Sequence, residues 1–132
     1  MDGKIGLEEH ISFDDTIEDS NGFLDPGIWN ELKSRLLDFH DKRLGFMDQF
    51  GMEMMILSLN APAIQAIPNT ESAIEIARRS NDLLAEQVEK NPGRFRALAA
   101  LPMQNAEAAA GELKRCVDEL GFCGALVNGF SQ

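Results

Sequence analysis

The sequence has only two histidines and two cysteines in 132 residues. Cys116 and Cys123 match neither a zinc-type nor a redox-type spacing, which excludes a cysteine-ligated zinc module and a dithiol active site. Cys116 is expected on a helix face and Cys123 within a strand, both reduced and mostly buried, as in a cytoplasmic protein. Basic residues are also scarce. Lys and Arg number 12 against 22 Asp and Glu, and the net charge of −10 repels phosphate backbones, so nucleic acid is excluded as a partner. No apolar run approaches the roughly 20 residues that span a bilayer, and no basic stretch precedes an apolar one at the N-terminus. Neither a membrane partner nor a signal peptide is therefore expected. Low-complexity segments and linkers are absent as well. With 44% apolar residues, residues 1–132 read as a single globular unit.

Four stretches have strand character: Lys4 to Glu9, Met52 to Leu59, Phe95 to Leu101 and Phe122 to Asn128. The last three are apolar at nearly every position, as in parallel strands covered by helices. Three helices are expected between them. The first runs from Ile28 to Phe50, with a stripe of Trp29, Leu32, Leu36 and Phe39 and a stop at Gly51. The second runs from Thr70 to Lys90, capped by Asn69 or Thr70, with Ile74, Ala77, Leu84, Ala85 and Val88 on one face. Asn81 interrupts that face and is expected to be a buried amide bonded to a neighbouring loop. The third covers Ala106 to Leu120, with Ala109, Leu113, Val117 and Leu120 inward. Parallel strands need right-handed crossovers. The order β-α-β-α-β-α-β thus leaves two α/β folds open: a doubly wound open sheet, or the first half of a (β/α) barrel.

Both folds gather their chemistry at the C-terminal ends of the strands. Those ends read "EEH", "SLNAP", "ALPMQ" and "VNGFSQ", polar after apolar, whereas the opposite ends carry ordinary turns. Residues two apart on a strand share a face, so Glu8 and His10 point one way and Glu9 the other. A carboxylate and an imidazole on one face either begin a divalent-metal site or form an ion pair at a strand end. His40, in the charged "DFHDKR", reads as solvated. No glycine-rich loop follows the first strand, so a dinucleotide or P-loop site has no support. The third strand ends without an aspartate, and Asp14 and Asp15 come four residues too late for the acidic pair of a phosphoacceptor receiver domain.

The stretches "GKIGLEEH", "MILSLNAPAIQAIP", "AIEIARRSND", "ALAALPMQ" and "RCVDELGFCGALVNGFSQ" resemble the N-terminal part of the γ-resorcylate (2,6-dihydroxybenzoate) decarboxylases. These are metal-dependent, non-oxidative carboxy-lyases of the amidohydrolase superfamily. The resemblance runs from Lys4 to Gln132, and the histidine of "EEH" and the "NGF" after the fourth strand favour the 2,6-isomer. It implies a TIM-type (β/α)8 barrel of which residues 1–132 form the first four βα units. It implies Glu8 and His10 as ligands of zinc or manganese, with no organic cofactor. Phe23 would lie against the aromatic ring of a small aromatic acid, Asn128 would bond a ring hydroxyl, and Ala61 would form part of the wall. The family's remaining ligands, its catalytic aspartate and its assisting histidine would all lie beyond Gln132. The reaction implied is the reversible conversion of 2,6-dihydroxybenzoate to resorcinol and CO2, by a homo-oligomer (dimer or tetramer) of the full-length protein. Residues 1–132 alone would then be inactive. The inner sheet face, with Met54, Ile56, Ala99 and Leu126, would be left open to water. The alternatives are another amidohydrolase that hydrolyses a lactone or amide, and a non-catalytic α/β module.

Overall fold

The computed structural model of the protein describes residues 3–20 and 25–129. Four strands, β1 (Lys4–Ile11), β2 (Met52–Leu59), β3 (Phe95–Ala100) and β4 (Gly124–Leu126), form one sheet in the order β1-β2-β3-β4. Every neighbouring pair is parallel. That order decides between the two candidate folds. A doubly wound sheet reverses direction at a switch point and carries helices on both faces. Here each right-handed crossover steps the same way, so all the helices fall on one face, as in a barrel.

The expected helix from Ile28 to Phe50 is two helices, α1 (Pro26–Leu36) and α2 (Lys42–Phe50). Asp25 caps α1 by accepting the Gly27 N–H at 2.9 Å, and Pro26 opens the helix where no donor is needed. The break falls at "LDFHD". Asp38 turns its carboxylate onto the Arg43 N–H at 2.8 Å, a local bond that competes with continued helix. Phe39 leaves the helical stripe to enter the main core and stacks on Phe13 with ring centroids 5.7 Å apart. His40, expected to be solvated, is instead clamped. Asn91 donates to its Nδ1 at 2.9 Å, and its Nε2 meets Gln87 Oε1 at 2.9 Å. The ring also lies about 6.1 Å from those of Phe39 and Phe95. Gly51 ends α2 at φ 65°, a conformation that favours glycine.

Helices α3 (Thr70–Lys90) and α4 (Ala106–Asp118) begin at Asn69 and Asn105, whose side chains accept the N–H groups of Ser72 and Ala108. Leu57 and Leu59 of β2 and Phe95, Ala97 and Ala99 of β3 pack against Ala77 and Leu84 of α3 and Cys116 of α4. Ala99 is therefore a helix-facing residue, not an inner-face one. The alternation puts Leu98 on the opposite face, and Leu98, Met54, Ile56 and Leu126 are all only partly buried. Val117 is 43% exposed, and Cys116 takes the inward place in α4 expected for it. Cys123, expected to be mostly buried, is exposed, although its N–H bonds the Ala97 carbonyl of β3 at 2.9 Å.

Asn81 is buried as expected, 1% exposed, but its partners lie on β3 and α4 and not on a loop. It bonds both backbone groups of Ala100, the last residue of β3, at 2.9 and 3.0 Å, and donates to Glu112 Oε1 of α4 at 2.8 Å. Burial raises the Glu112 pKa, but the guanidinium of Arg115 and the Asn81 amide outweigh it and hold the carboxyl below its usual value. Arg115 also reaches Asp82 at 2.7 Å. A charged network thus locks α3, α4 and the end of β3 together.

Candidate functional site

The C-terminal rim is built strand by strand. At β1 the register slips between Gly6 and Glu9, where Leu7 and Glu8 of β1 oppose the single residue Ile56 of β2, a bulge that re-aims the side chains beyond it. Glu8 and His10 emerge on one side, with Glu8 Oε1 3.8 Å from His10 Nε2. His10 pairs in register with Ser58 of β2. The Ser58 hydroxyl, fully buried, lies 3.3 Å from His10 Nδ1. With Nδ1 engaged there, Nε2 is the nitrogen left facing Glu8. Glu9 points the other way, where it acts electrostatically on Arg43. Burial lowers the Arg43 pKa, and the charges of Glu9 and Asp38 oppose that shift.

The loops after β2, β3 and β4 are tied together by amides. Beyond Asn60 and Ala61 the chain passes a cis Ala61–Pro62 bond into a 3-10 turn, Ala63–Ala66. Gln104, from the loop after β3, donates to the carbonyls of Ile64 and Ile67 at 2.7 and 2.8 Å. Gln65 donates to the Leu101 carbonyl at 3.3 Å and accepts from Asn128 Nδ2 at 3.4 Å.

The structure therefore brings Glu8 and His10 together, and it joins Asn128 to the turn that follows Ala61. The bond that holds Asn128 goes to Gln65, not to Glu8 or His10. Ala61 is half-buried in the rim. Phe23 lies outside the described residues. Sequence reasoning missed Ser58, Gln65 and Arg43. Ser58 carried a signal in hindsight: it shares a strand face with Met54 and Ile56, and it is the polar member of that face.

As a cation site the pair is chemically apt but incomplete. One carboxylate oxygen and one imidazole nitrogen, the latter oriented through its other ring nitrogen, suit a divalent ion such as zinc or manganese. Two donors do not close such a site, and among the described residues no group of three or more His, Cys, Asp or Glu could hold a metal. No helix among the described residues is long and apolar enough to cross a membrane.

Fold and rim together define a class: the first half of a parallel (β/α) barrel carrying a two-donor candidate cation site at the end of its first strand. The amidohydrolase family model matches residues 10–132, and the chain belongs to that family. Over its whole length it is 62% identical to γ-resorcylate decarboxylase of Rhodococcus jostii, of which it covers 40%. It superposes with a TM-score of 0.97 on a dihydroxybenzoic acid decarboxylase of Polaromonas solved with manganese and the inhibitor 2-nitroresorcinol. The identity there is 63%, over 100% of this chain and 40% of that one. A 2,6-dihydroxybenzoate decarboxylase complexed with 2,6-dihydroxybenzoate gives the same TM-score at 61% identity, over 100% of this chain and 41% of that one. The chain thus spans about two fifths of the length of these relatives.

Proposed function

We propose that this chain is the N-terminal part of a metal-dependent decarboxylase that converts 2,6-dihydroxybenzoate to resorcinol and CO2. The observation that carries the reading is the Glu8–His10 pair, 3.8 Å apart, in a chain 61–63% identical over its whole length to enzymes named for that reaction or its substrate. In this reading Glu8 and His10 hold zinc or manganese. The bound ion supplies Lewis-acid polarisation and a template for the substrate's carboxylate and ortho oxygen. Ser58 keeps His10 Nε2 turned toward the ion. Asn128 donates one Nδ2 hydrogen to Gln65, and its Oδ1 would accept from a ring hydroxyl. Ala61 leaves space for a flat ring, against which the family resemblance would set Phe23. The proton that replaces CO2 on the ring comes from a group outside residues 1–132. The resemblance likewise supports a homo-oligomer in the cytoplasm.

The test uses the whole protein that carries this chain, stripped of metal and reloaded with manganese or zinc. His10→Ala should lose bound metal and resorcinol formation together. Asn128→Ala should lower kcat/KM about ten- to a hundredfold, the equivalent of about 1–3 kcal/mol for one unpaired polar group. The loss should be larger for 2,6-dihydroxybenzoate than for an analogue lacking the contacted hydroxyl. A His10→Ala protein that decarboxylates at the parent rate after stripping would refute the ligand assignment. Turnover of a lactone or amide with none of the dihydroxybenzoate would place the chain with the hydrolases.

A further inference from the structure

His10 sits on β1, a strand that among the described residues is paired on one side only. Backbone groups of a strand point alternately to its two edges. The Ile11 carbonyl accepts the Asn60 N–H at 2.8 Å, from the β2 side, so the His10 carbonyl points to the other edge. There a guanidinium stands where a neighbouring strand would supply an N–H. Arg43 Nη2 donates to the His10 carbonyl at 2.9 Å. One step further along the same edge, the Ser12 N–H is taken by the Leu36 carbonyl at 3.0 Å. The outer edge of β1 is thus closed at His10 by Arg43, in the first turn of α2, and at Ser12 by Leu36, the last residue of α1.

Arg43 is itself held tightly. Its Nε donates to the Asp38 carbonyl at 3.0 Å and its Nη2 also reaches the Arg35 carbonyl at 3.3 Å. Its Nη1 lies 4.0 Å from Met55 Sδ. Glu9 and Asp38 supply the countercharge. The group borders a cavity of about 250 Å³ that is also lined by Glu9, His10, Asp38, Phe46 and Met55. A partly buried arginine that spends its fork of donors on three carbonyls is a geometric brace. Only one of those carbonyls, that of His10, belongs to a residue of the candidate site.

We propose that Arg43 is a positioning residue for His10. It fixes the backbone of this edge-strand residue, so that the imidazole is presented beside Glu8 instead of moving with a frayed strand end. The proposal rests on the reading of His10 as a metal ligand, and it deepens that reading by naming what holds the ligand in place. It also means that a further strand can pair with the outer edge of β1 only before His10.

The experiment measures the Kd for Mn2+, by chelator competition, on the whole protein that carries this chain. Arg43→Met should raise Kd about 10- to 100-fold, the range seen when a supporting partner of a metal ligand is lost. Arg43→Lys, whose ammonium can still reach the His10 carbonyl, should recover most of that affinity. Phe122→Ala truncates a side chain 4% exposed just before β4, at the opposite end of the sheet from β1. It should lower Tm and leave Kd at the parent value. Should Arg43→Met not fold, Arg43→Gln, too short to reach the carbonyl, carries the same expectation. Parent-like Mn2+ affinity in Arg43→Met or Arg43→Gln overturns the proposal. So does an equal loss in Phe122→Ala, which would mark the effect as general destabilisation. Parent-like affinity in His10→Ala is a separate outcome. It removes the ligand reading, and this inference falls with it.

Discussion

Replacing Asn81 with alanine should disturb the rim from beneath, through the end of β3. The amide makes three bonds at 2.8 to 3.0 Å, two of them to the N–H and C=O of Ala100. Ala100 is 7% exposed, so water does not replace what is lost. Each backbone group left buried without a partner costs about 1–3 kcal/mol, and two of them give roughly 2–6 kcal/mol. Urea unfolding of the whole protein reads that loss globally. Hydrogen exchange at the Ala100 amide reads it locally, where a change of about 3 kcal/mol corresponds to a rate increase of roughly a hundredfold. Asn81→Asp sharpens the test. It keeps the shape and the acceptor for the Ala100 N–H. It removes both donors and sets a carboxylate against the Glu112 carboxylate and the Ala100 carbonyl. It should therefore destabilise at least as much as alanine at neutral pH. A carboxyl crowded in this way has its folded pKa raised, so it binds its proton more tightly when folded. The stability it retains is fullest at acid pH and is lost as the pH rises through that folded value, so the penalty of Asn81→Asp should grow with pH. A change below about 1 kcal/mol for Asn81→Asp at neutral pH, or a penalty independent of pH, would refute this account of the network.

Ser58→Ala should weaken Mn2+ binding by about tenfold, because His10 Nδ1 loses the partner that orients the ring. Unchanged affinity would reduce Ser58 to a space-filling role. The two thiols should differ sharply. Burial first, and then the Glu112 carboxylate, push the Cys116 thiol up to about 12, whereas Cys123 is exposed. A thiolate-directed alkylating reagent at mildly alkaline pH should label Cys123 and spare Cys116 in the peptide mass spectrum. Equal labelling of both would contradict the buried, hydrogen-bonded placement of Cys116.

Some of this molecule was legible from local pattern alone. The limits of β2 and α3 follow from an unbroken apolar run and a 3.6-residue stripe, which need no partner to be read. Asn81 stood out as an amide on an apolar face, and its burial followed. The pairing of Glu8 with His10 followed from the two-residue period of a strand. The helix from Ile28 to Phe50 was misread, because the stripe Trp29, Leu32, Leu36, Phe39 stays periodic through the break. Beside the local bond from Asp38 to the Arg43 N–H, what ends α1 is a long-range event, the insertion of Phe39 against Phe13. His40 looked solvated for a related reason. Its sequence neighbours are charged, but its bonding partners, Gln87 and Asn91, lie about fifty residues away.

By itself, then, the sequence determined the four strands, helices α3 and α4, the face shared by Glu8 and His10, and the family resemblance. All of these rest on residues close together in the chain or on long matching stretches. Tertiary structure showed the strand order β1-β2-β3-β4, and with it the barrel that the resemblance implied, because pattern does not state which strands are neighbours. It also decided which atoms surround His10. Ser58 reaches the ring through the parallel register of β1 and β2, and Arg43 reaches the carbonyl across the outer edge of β1, 33 residues along the chain. Register and edge closure arise only when separate segments pack, so no reading of the segments one at a time could supply them.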